Sequence, residues 1–353
     1  MALATLRQLL DHAAENGYGI PAFNITNLET LLAVLQAAEK ANSPVIVQAS
    51  QSARKYADDI LLSGLVKSAA QRFPNVPICF HQDHGSSPKV CESAIALGFT
   101  SVMMDGSLES DGKTPASYDY NVDVTARTVD FAHARGVSVE GEIGVLGSLE
   151  TGGGEQEDGH GLVGKLDRHA LLTDPVQAAE FVAATGVDAL AVAIGTSHGA
   201  YKFSRKPTGD ILALDVIAAI HERLPDTHLV MHGASTVPTD LQDLINDNGG
   251  EMPSTFGVPL EEVERSIKMG VRKINIDTDL RMALTGSARE YLKVRPDSFD
   301  IRGMLKSGMS RMEALCVERF ECFGSAGNAS KITLLPLEQM AITYRSGSNR
   351  LAS

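Results

Sequence analysis

The chain has 353 residues, of which 43% are hydrophobic and 21% charged, and its formal net charge at pH 7 is −13. This is globular composition at a length that builds one large domain or two ordinary ones. The acidic balance argues against a nucleic-acid or anionic-membrane binder, no apolar run is long enough to span a bilayer, and the start lacks a secretory layout. Cys79, Cys91, Cys316 and Cys322 show no paired spacing, which suits a reducing cytoplasm.

Residues 1–19 (MALATLRQLLDHAAENGYG) read as an amphipathic helix. Strand candidates then follow at 19–24 (GIPAFN), 44–50 (PVIVQAS), 76–83 (VPICFHQD), 101–107 (SVMMDGS), 137–144 (VSVEGEIG), 189–195 (ALAVAIG), 228–233 (HLVMHG) and 271–277 (VRKINID). Each is short, rich in β-branched or other apolar residues and bounded by turn residues. Between them lie helical patterns such as LETLLAVLQAAEKA, ADDILLSGLVKSAAQRF, PVQAAEFVAATG and PLEEVERSIKMG, several ending in glycine or asparagine. Eight βα repeats predict an α/β protein, a (β/α)8 TIM barrel, with an N-terminal capping helix and a helical C-terminal extension. The barrel is placed at about 1–300 and the extension at about 301–353, in a single domain covering 1–353. An open doubly wound sheet would need fewer strands and usually a GxGxxG after the first, which is absent. Residues 145–166, rich in glycine and acid and without periodicity, read as a long mobile loop after the fifth strand, of a kind uncommon unless functional or disordered.

In such a barrel, active residues come from the C-terminal strand ends. This chain places there Asn24, Ser50, Asp83, His84, Asp105, Glu142, His198, His232, Ser235, Asn275 and Asp277. His84, His198 and His232 each sit where an apolar run gives way to glycine, and together they form the ligand set of a catalytic metal with an open position. A single histidine at a strand end is more often structural; three in one layer are not. His81 is the rival ligand on the third strand, with orientation of a neighbour as its alternative role. The remaining histidines, His12, His133, His160, His169, His221 and His228, read as solvated. Asp83, beside a ligand, could move a proton or accept a bond from a histidine NH. Gly199 with Lys202 in SHGAYK, and Gly233 with Ser235 in HGAS, suit an anion-binding nest. On the eighth strand Asn275, Asp277 and Asp279 share a face, with Arg281 beyond; Lys202 and Arg281 could equally be surface charges. Lys273 lies early in that strand and reads as structural.

HQDHG, EGEIG with its GGGEQEDG loop, SHGAYK, HGAS and NIDTDLR, in this order, resemble the class II metal-dependent fructose-bisphosphate aldolases. The tail, with CVERFECFGSAGNAS and LPLEQM, is similar to the longer-tailed subgroup associated with the Calvin cycle. The resemblance implies reversible cleavage of fructose 1,6-bisphosphate to dihydroxyacetone phosphate and glyceraldehyde 3-phosphate through a zinc-stabilised enediolate, also used in glycolysis and gluconeogenesis. It implies Zn2+ on His84, His198 and His232, and Asp83 taking the proton from the C4 hydroxyl. A loop glutamate, Glu157 or alternatively Glu155, would exchange the C3 proton, and Asn275 would hydrogen-bond the enediolate. One phosphate would rest on Gly199, Lys202, Gly233 and Ser235, helped by a monovalent cation (Na+ or K+). Asn24, Ser50, Arg281 and Arg302 would bind the rest of the substrate, with Arg302 donated by a neighbouring subunit. Asp277 matches the position that separates fructose from tagatose bisphosphate, and Asp105 and Glu142 look like residues that support the ligands from behind or a low-affinity site for displaced zinc. The implied partners are a phosphorylated sugar and further copies of the chain in a homodimer or higher homo-oligomer, in the cytoplasm, with neither nucleic acid nor membrane.

Competing readings remain testable. Tagatose-1,6-bisphosphate aldolase differs only in C4 stereochemistry, and sedoheptulose 1,7-bisphosphate is an additional candidate substrate. A zinc hydrolase barrel would carry HxH on its first strand, where this chain has PAFN, and a Schiff-base aldolase would want a lysine in ALAVAIG. A non-catalytic sugar-phosphate-binding protein on this fold would have lost a ligand or the acid beside it; all are present.

Overall fold

A computed structural model describes residues 3–111, 113–147, 171–207 and 212–346. Its elements run in chain order as β1 (Leu3–Ala4), α1 (Leu6–Asn16), β2 (Ile20–Asn24), α2 (Leu28–Ala41), β3 (Val45–Ser50), α3 (Gln51–Ala57), α4 (Asp59–Arg72), β4 (Ile78–Gly85) and α5 (Pro88–Leu97). There follow β5 (Ser101–Met104), α6 (Tyr118–His133), β6 (Ser138–Ile143), α7 (Pro175–Thr185), β7 (Ala189–Val192), α8 (Leu214–Arg223), β8 (His228–Met231) and α9 (Thr239–Asp247). The last are α10 (Leu260–Lys268), β9 (Val271–Ile276), α11 (Thr278–Val294), α12 (Ile301–Cys322) and α13 (Leu337–Arg345). Strands β2 to β9 pair in parallel from neighbour to neighbour, and β9 pairs back onto β2 through Ala22↔Asn275, so the sheet closes into a (β/α)8 barrel.

Period-two alternation sorts the side chains. On β4, Ile78 and Phe80 face outward into the apolar layer beneath the helices, while Cys79 faces the barrel interior. Small inward residues at the strand starts (Ala22, Cys79, Ala189) leave room for the apolar face of α1, whose Leu6, Leu9, Leu10 and Ala13 pack there and fill the barrel floor. β1 adds to the start of β4 with Leu3↔Ile78 and Ala4↔Cys79. The floor also takes the chain's other end: Gln8 and Leu335 exchange hydrogen bonds, Gln8 Nε2 to Leu335 O at 3.2 Å and Leu335 N to Gln8 Oε1 at 2.6 Å. In α13, Tyr344 stacks on His133 at 3.7 Å and shares a hydrogen bond with Ser138 Oγ.

Helix ends follow their local chemistry. Asn27 and Thr30 form a capping box at the start of α2, and Gly98, Gly186 and Asn42 close α5, α7 and α2 in the left-handed conformation. The predicted helix at 57–73 is α4, and the unpredicted α3 precedes it: the two meet at Asp58, whose φ of 67° breaks the rod while its carboxylate caps α4. The C-terminal extension packs outside the barrel as α12 against α2 and α11. No described helix is long and apolar enough to cross a membrane.

Candidate active site

The β4–β5 ladder shifts register between Gln82 and Gly85, and this bulge builds the site. Alternation would aim Asp83 inward and His84 outward, beside Phe80 and beside Gln82, which bonds Arg54 of α3. His84 instead takes φ 45°, a left-handed backbone rare for its type, and swings into the same cleft as Asp83. Such strain costs of order 1–3 kcal/mol and concentrates at functional sites. Gly85 makes it possible, since a Cβ there would stand 2.6 Å from both Cys91 Sγ and Met103 O.

His198 comes from the loop after β7 and His232 from the residue just beyond β8. With His84 they place three ligand nitrogens within 4.8 Å of one another. His232 Nε2 bonds Glu140 Oε1 at 2.9 Å, which leaves Nδ1 facing His198 Nε2 at 3.5 Å. His84 Nδ1 bonds Asp105 Oδ2 at 2.9 Å, turning Nε2 toward Asp83 Oδ1 at 4.0 Å. Two imidazole nitrogens on one tetrahedral zinc, with bonds of about 2.0–2.1 Å, lie roughly 3.4 Å apart, so the donor set and spacing fit a metal. Burial and the nearby His84 hold His198 and His232 well below the usual histidine pKa, the neutral state a ligand needs. His84 differs: burial opposes its charge, but Asp83, Asp105 and Glu142 outweigh it and raise the pKa to about 10. That concentration of carboxylates favours a cation at this point, and binding a metal would require His84 to release its proton.

Asp83 accepts hydrogen bonds from Asn24 (3.1 Å), Gln48 (3.2 Å) and Asn275 (3.3 Å). Burial would raise its pKa, yet His84 and Lys273 overcome that and hold it below the usual carboxylate value, so it is ionised near neutrality. Glu142 shifts the other way, driven well up by burial and by Asp105, and the two acids share the Ser107 hydroxyl at 3.1 and 2.7 Å. His84, Asp105 and Glu142 form a second group of metal-ligand geometry.

The cleft at the strand ends spans about 440 Å3 including its open mouth and is lined by Asn24, Ser50, Asp83, His84, His198, Lys202, Gly233, Ser235, Asn275, Asp277 and Thr278. All but Thr278 were nominated from the sequence. Lys202 is buried, with its ammonium donating to the Ser197 carbonyl, so it is no surface charge. Gly233 has φ 64°, and a Cβ on it would meet Ser197 O at 2.4 Å. Gly199, Arg281, Asp105 and Glu142 do not line this cleft. Arg281 pairs with Asp277 Oδ2 at 2.6 Å, while Arg302, whose side chain is 87% exposed, pairs with Asp300. Glu155 and Glu157 lie outside the described residues.

Beneath the imidazoles runs a fully buried polar layer that sequence reasoning only half anticipated. Lys273 Nζ sits 2.8 Å from Glu140 Oε2, His81 Nε2 sits 3.5 Å from the same oxygen, and His81 Nδ1 meets Ser101 Oγ at 2.9 Å. Glu140 and Gln48 went unnoticed, although SVEGEI and VIVQAS put them two residues from Glu142 and Ser50 on the same inward face. His228, expected to be solvated, is buried and bonds Asp11 at 2.6 Å, because the strand start lies under α1.

Known proteins resemble this chain over nearly its whole length. The family model described as fructose-bisphosphate aldolase class-II matches residues 4–328. The chain is 62% identical to fructose-bisphosphate aldolase 2 of Cereibacter sphaeroides, over 99% of this chain and 98% of that protein. It is 60% identical to fructose-bisphosphate aldolase of Rhizobium meliloti (strain 1021), over 99% and 97%. Among solved structures, the YdjI aldolase from Escherichia coli K12 superposes with a TM-score of 0.69 at 29% identity, covering 93% of this chain and 99% of that one.

Proposed function

The chain belongs to the class II fructose-bisphosphate aldolase family, and we propose that the cleft around His84 and Asp83 is where it performs that family's reaction. It is a metal-dependent aldolase that reversibly cleaves fructose 1,6-bisphosphate into dihydroxyacetone phosphate and glyceraldehyde 3-phosphate. The observation that carries the site assignment is geometric: three convergent imidazoles, with the Asp83 carboxylate 4.0 Å from His84 Nε2 in the cleft they border.

Asp83 takes the proton from the C4 hydroxyl, the C3–C4 bond breaks, and its electron pair passes to C3, leaving the enediolate of dihydroxyacetone phosphate; condensation returns the proton from Asp83. A zinc ion held by His84, His198 and His232 would supply Lewis-acid stabilisation of the oxygen charge that develops in this step. The Asn275 amide, already bonded to Asp83 and 3.1 Å from His232 Nδ1, faces the same developing charge. Glu157, or Glu155, exchanges the C3 proton of the released ketose phosphate. Gly199, Lys202, Gly233 and Ser235 cradle one phosphate through backbone NH groups and an ammonium, with a monovalent cation (Na+ or K+) sharing the charge. Asn24 and Ser50, with Arg281 and a neighbouring copy's Arg302 from beyond the cleft, meet the distal hydroxyls and second phosphate, and Asp277 selects fructose over tagatose configuration. Asp105 and Glu142 offer displaced zinc a second position, the geometry of their group with His84 supporting it.

We further read the chain as a single domain, cytoplasmic and homo-oligomeric. Leu292, Val294, Phe299 and Ile301 are exposed, Phe299 at 97%, directly before Arg302, which supports a neighbouring copy receiving that arginine. Sedimentation should give a dimer or larger, and a monomer at working concentration would end this part of the reading.

Cleavage of fructose 1,6-bisphosphate should disappear on EDTA treatment, return with added zinc and survive borohydride. No cleavage with zinc bound would sink the substrate assignment and make tagatose 1,6-bisphosphate the next trial. Activity that survives chelator and is trapped by borohydride would overturn the metal site.

A further inference from the structure

The loop after β8 carries Gly233 and Ser235 into the cleft, and its backbone is held from behind by two buried charges from the C-terminal helices. Asp279, in the first turn of α11, accepts from Thr236 N at 3.0 Å and Thr236 Oγ1 at 3.1 Å on one oxygen, and from Val237 N at 2.9 Å on the other. Arg319, in the last two turns of α12, donates from Nη2 to Thr236 Oγ1 at 2.9 Å and lies 3.4 Å from Asp279 Oδ2. The Thr236 hydroxyl spends its one hydrogen on Asp279, so it can only accept from Arg319, and this direction fixes its rotamer. Both charged side chains are buried.

The loop needs such support. Val237 has φ 48°, a left-handed backbone that is unfavourable for a β-branched residue. On its other side Val258 N donates to Ser235 O at 3.2 Å, and a Cβ on Gly257 would come within 2.4 Å of that oxygen. The segment is therefore clamped between the α9–α10 connection at Gly257 and Val258 and a brace from outside the barrel. Ser235 Oγ accepts from Asp277 N at 3.3 Å, so the clamp also sets the position of the residue that lines the cleft.

We propose that Arg319 is a positioning residue for phosphate recognition: through Thr236 and Asp279 it sets the backbone of residues 233–237 against the substrate phosphate. The proposal rests on the reading of Gly233 and Ser235 as part of the phosphate cradle. A buried arginine could instead serve stability alone, and the two roles differ in what they change. Backbone NH groups aimed by the brace are lost to phosphate when it goes, whereas a purely structural contact lowers the melting temperature and leaves substrate affinity intact.

The test uses the intact zinc-loaded enzyme with Arg319→Met, Arg319→Lys, Thr236→Val and Ser235→Ala. For Arg319→Met we expect the KM for fructose 1,6-bisphosphate to rise about ten-fold or more, with a smaller change in kcat. Inhibition by inorganic phosphate should weaken in parallel. Arg319→Lys keeps the cation without the fork, so it should recover part of the loss. Thr236→Val should reproduce the KM effect, and the double variant with Arg319→Met should add little to either single one. If Arg319→Met does not fold, Arg319→Lys and Thr236→Val carry the decision. An unchanged KM and phosphate inhibition in Arg319→Met and Thr236→Val, with only the melting temperature lowered, would overturn the proposal. If Ser235→Ala raises KM in that case, the cradle stands and only the role of Arg319 falls. Should Ser235→Ala also leave KM and phosphate inhibition unchanged, the cradle reading itself fails and takes the proposal with it.

Discussion

Asp83→Ala is expected to lower kcat for cleavage by about 10²–10⁴-fold, the range spanned by loss of a positioned general base. The protein should still fold and still bind zinc. The amides of Asn24 and Asn275 lose their acceptor but line a cleft that water can enter, and Gln48, fully buried, keeps Asn24 Oδ1 as an acceptor at 2.6 Å, so none is stranded. Neither His84 nor His232 depends on Asp83 for its orientation, since Asp105 and Glu140 provide it. Zinc affinity should fall modestly because one negative charge has gone from beside His84, so rates are best compared at saturating zinc. Asp83→Asn sharpens the comparison by keeping shape and most hydrogen bonding while removing the basic oxygen. A kcat near wild type in either variant, with zinc content confirmed, would exclude proton transfer by Asp83.

Lys273→Met should have the largest effect on stability. Nζ is the cation at 2.8 Å from Glu140 Oε2, both side chains are fully buried, and breaking one partner of a buried pair costs about 3–5 kcal/mol. The damage should not stop at folding. Glu140 aligns His232 through its other oxygen, and outer-shell partners of this kind are worth about 10–100-fold in metal affinity. Removing both charges with Lys273→Met and Glu140→Gln should be less destabilising than Lys273→Met alone, because no unpaired carboxylate stays buried. Denaturant unfolding and competition for zinc against a chelator give the two readouts. Near-wild-type values in both would show that the pair is dispensable.

These two residues mark where the sequence could and could not be read. All eight barrel strands lie within three residues of their expected ends at both termini, because buried strands are short apolar runs closed by turn residues, a local signal. The three histidines and Asp83 were legible for a related reason, as polar residues at the ends of such runs. Lys273 reads as structural from its early place in the strand and is fully buried, but nothing in VRKINID names a partner 133 positions earlier. Glu140 was legible by alternation from Glu142 and went unread. Ordinary period-two reasoning aims His84 away from the cleft, and only the register shift at Gln82/Gly85 explains how adjacent residues share one site. β1 and α3 were missed because two residues, or a polar stretch such as QSARKY, carry no periodic pattern. Arg319 belongs to the same class of omission, since its value lies in a threonine 83 residues away.

The paired bonds between Gln8 and Leu335 span 327 positions of sequence. At roughly 5–20 residues added per second, a ribosome needs on the order of tens of seconds between making one partner and the other. Leu6, Leu9 and Leu10 stay exposed to other nascent chains until the strands through β9 close the barrel, and the floor gains its seal only with Leu335. The last segment to be synthesised therefore completes the seal over the first. A translation pause late in the message would lengthen exposure of the earliest helix, so the N-terminal segment, far from the catalytic mouth, is where aggregation during synthesis would begin.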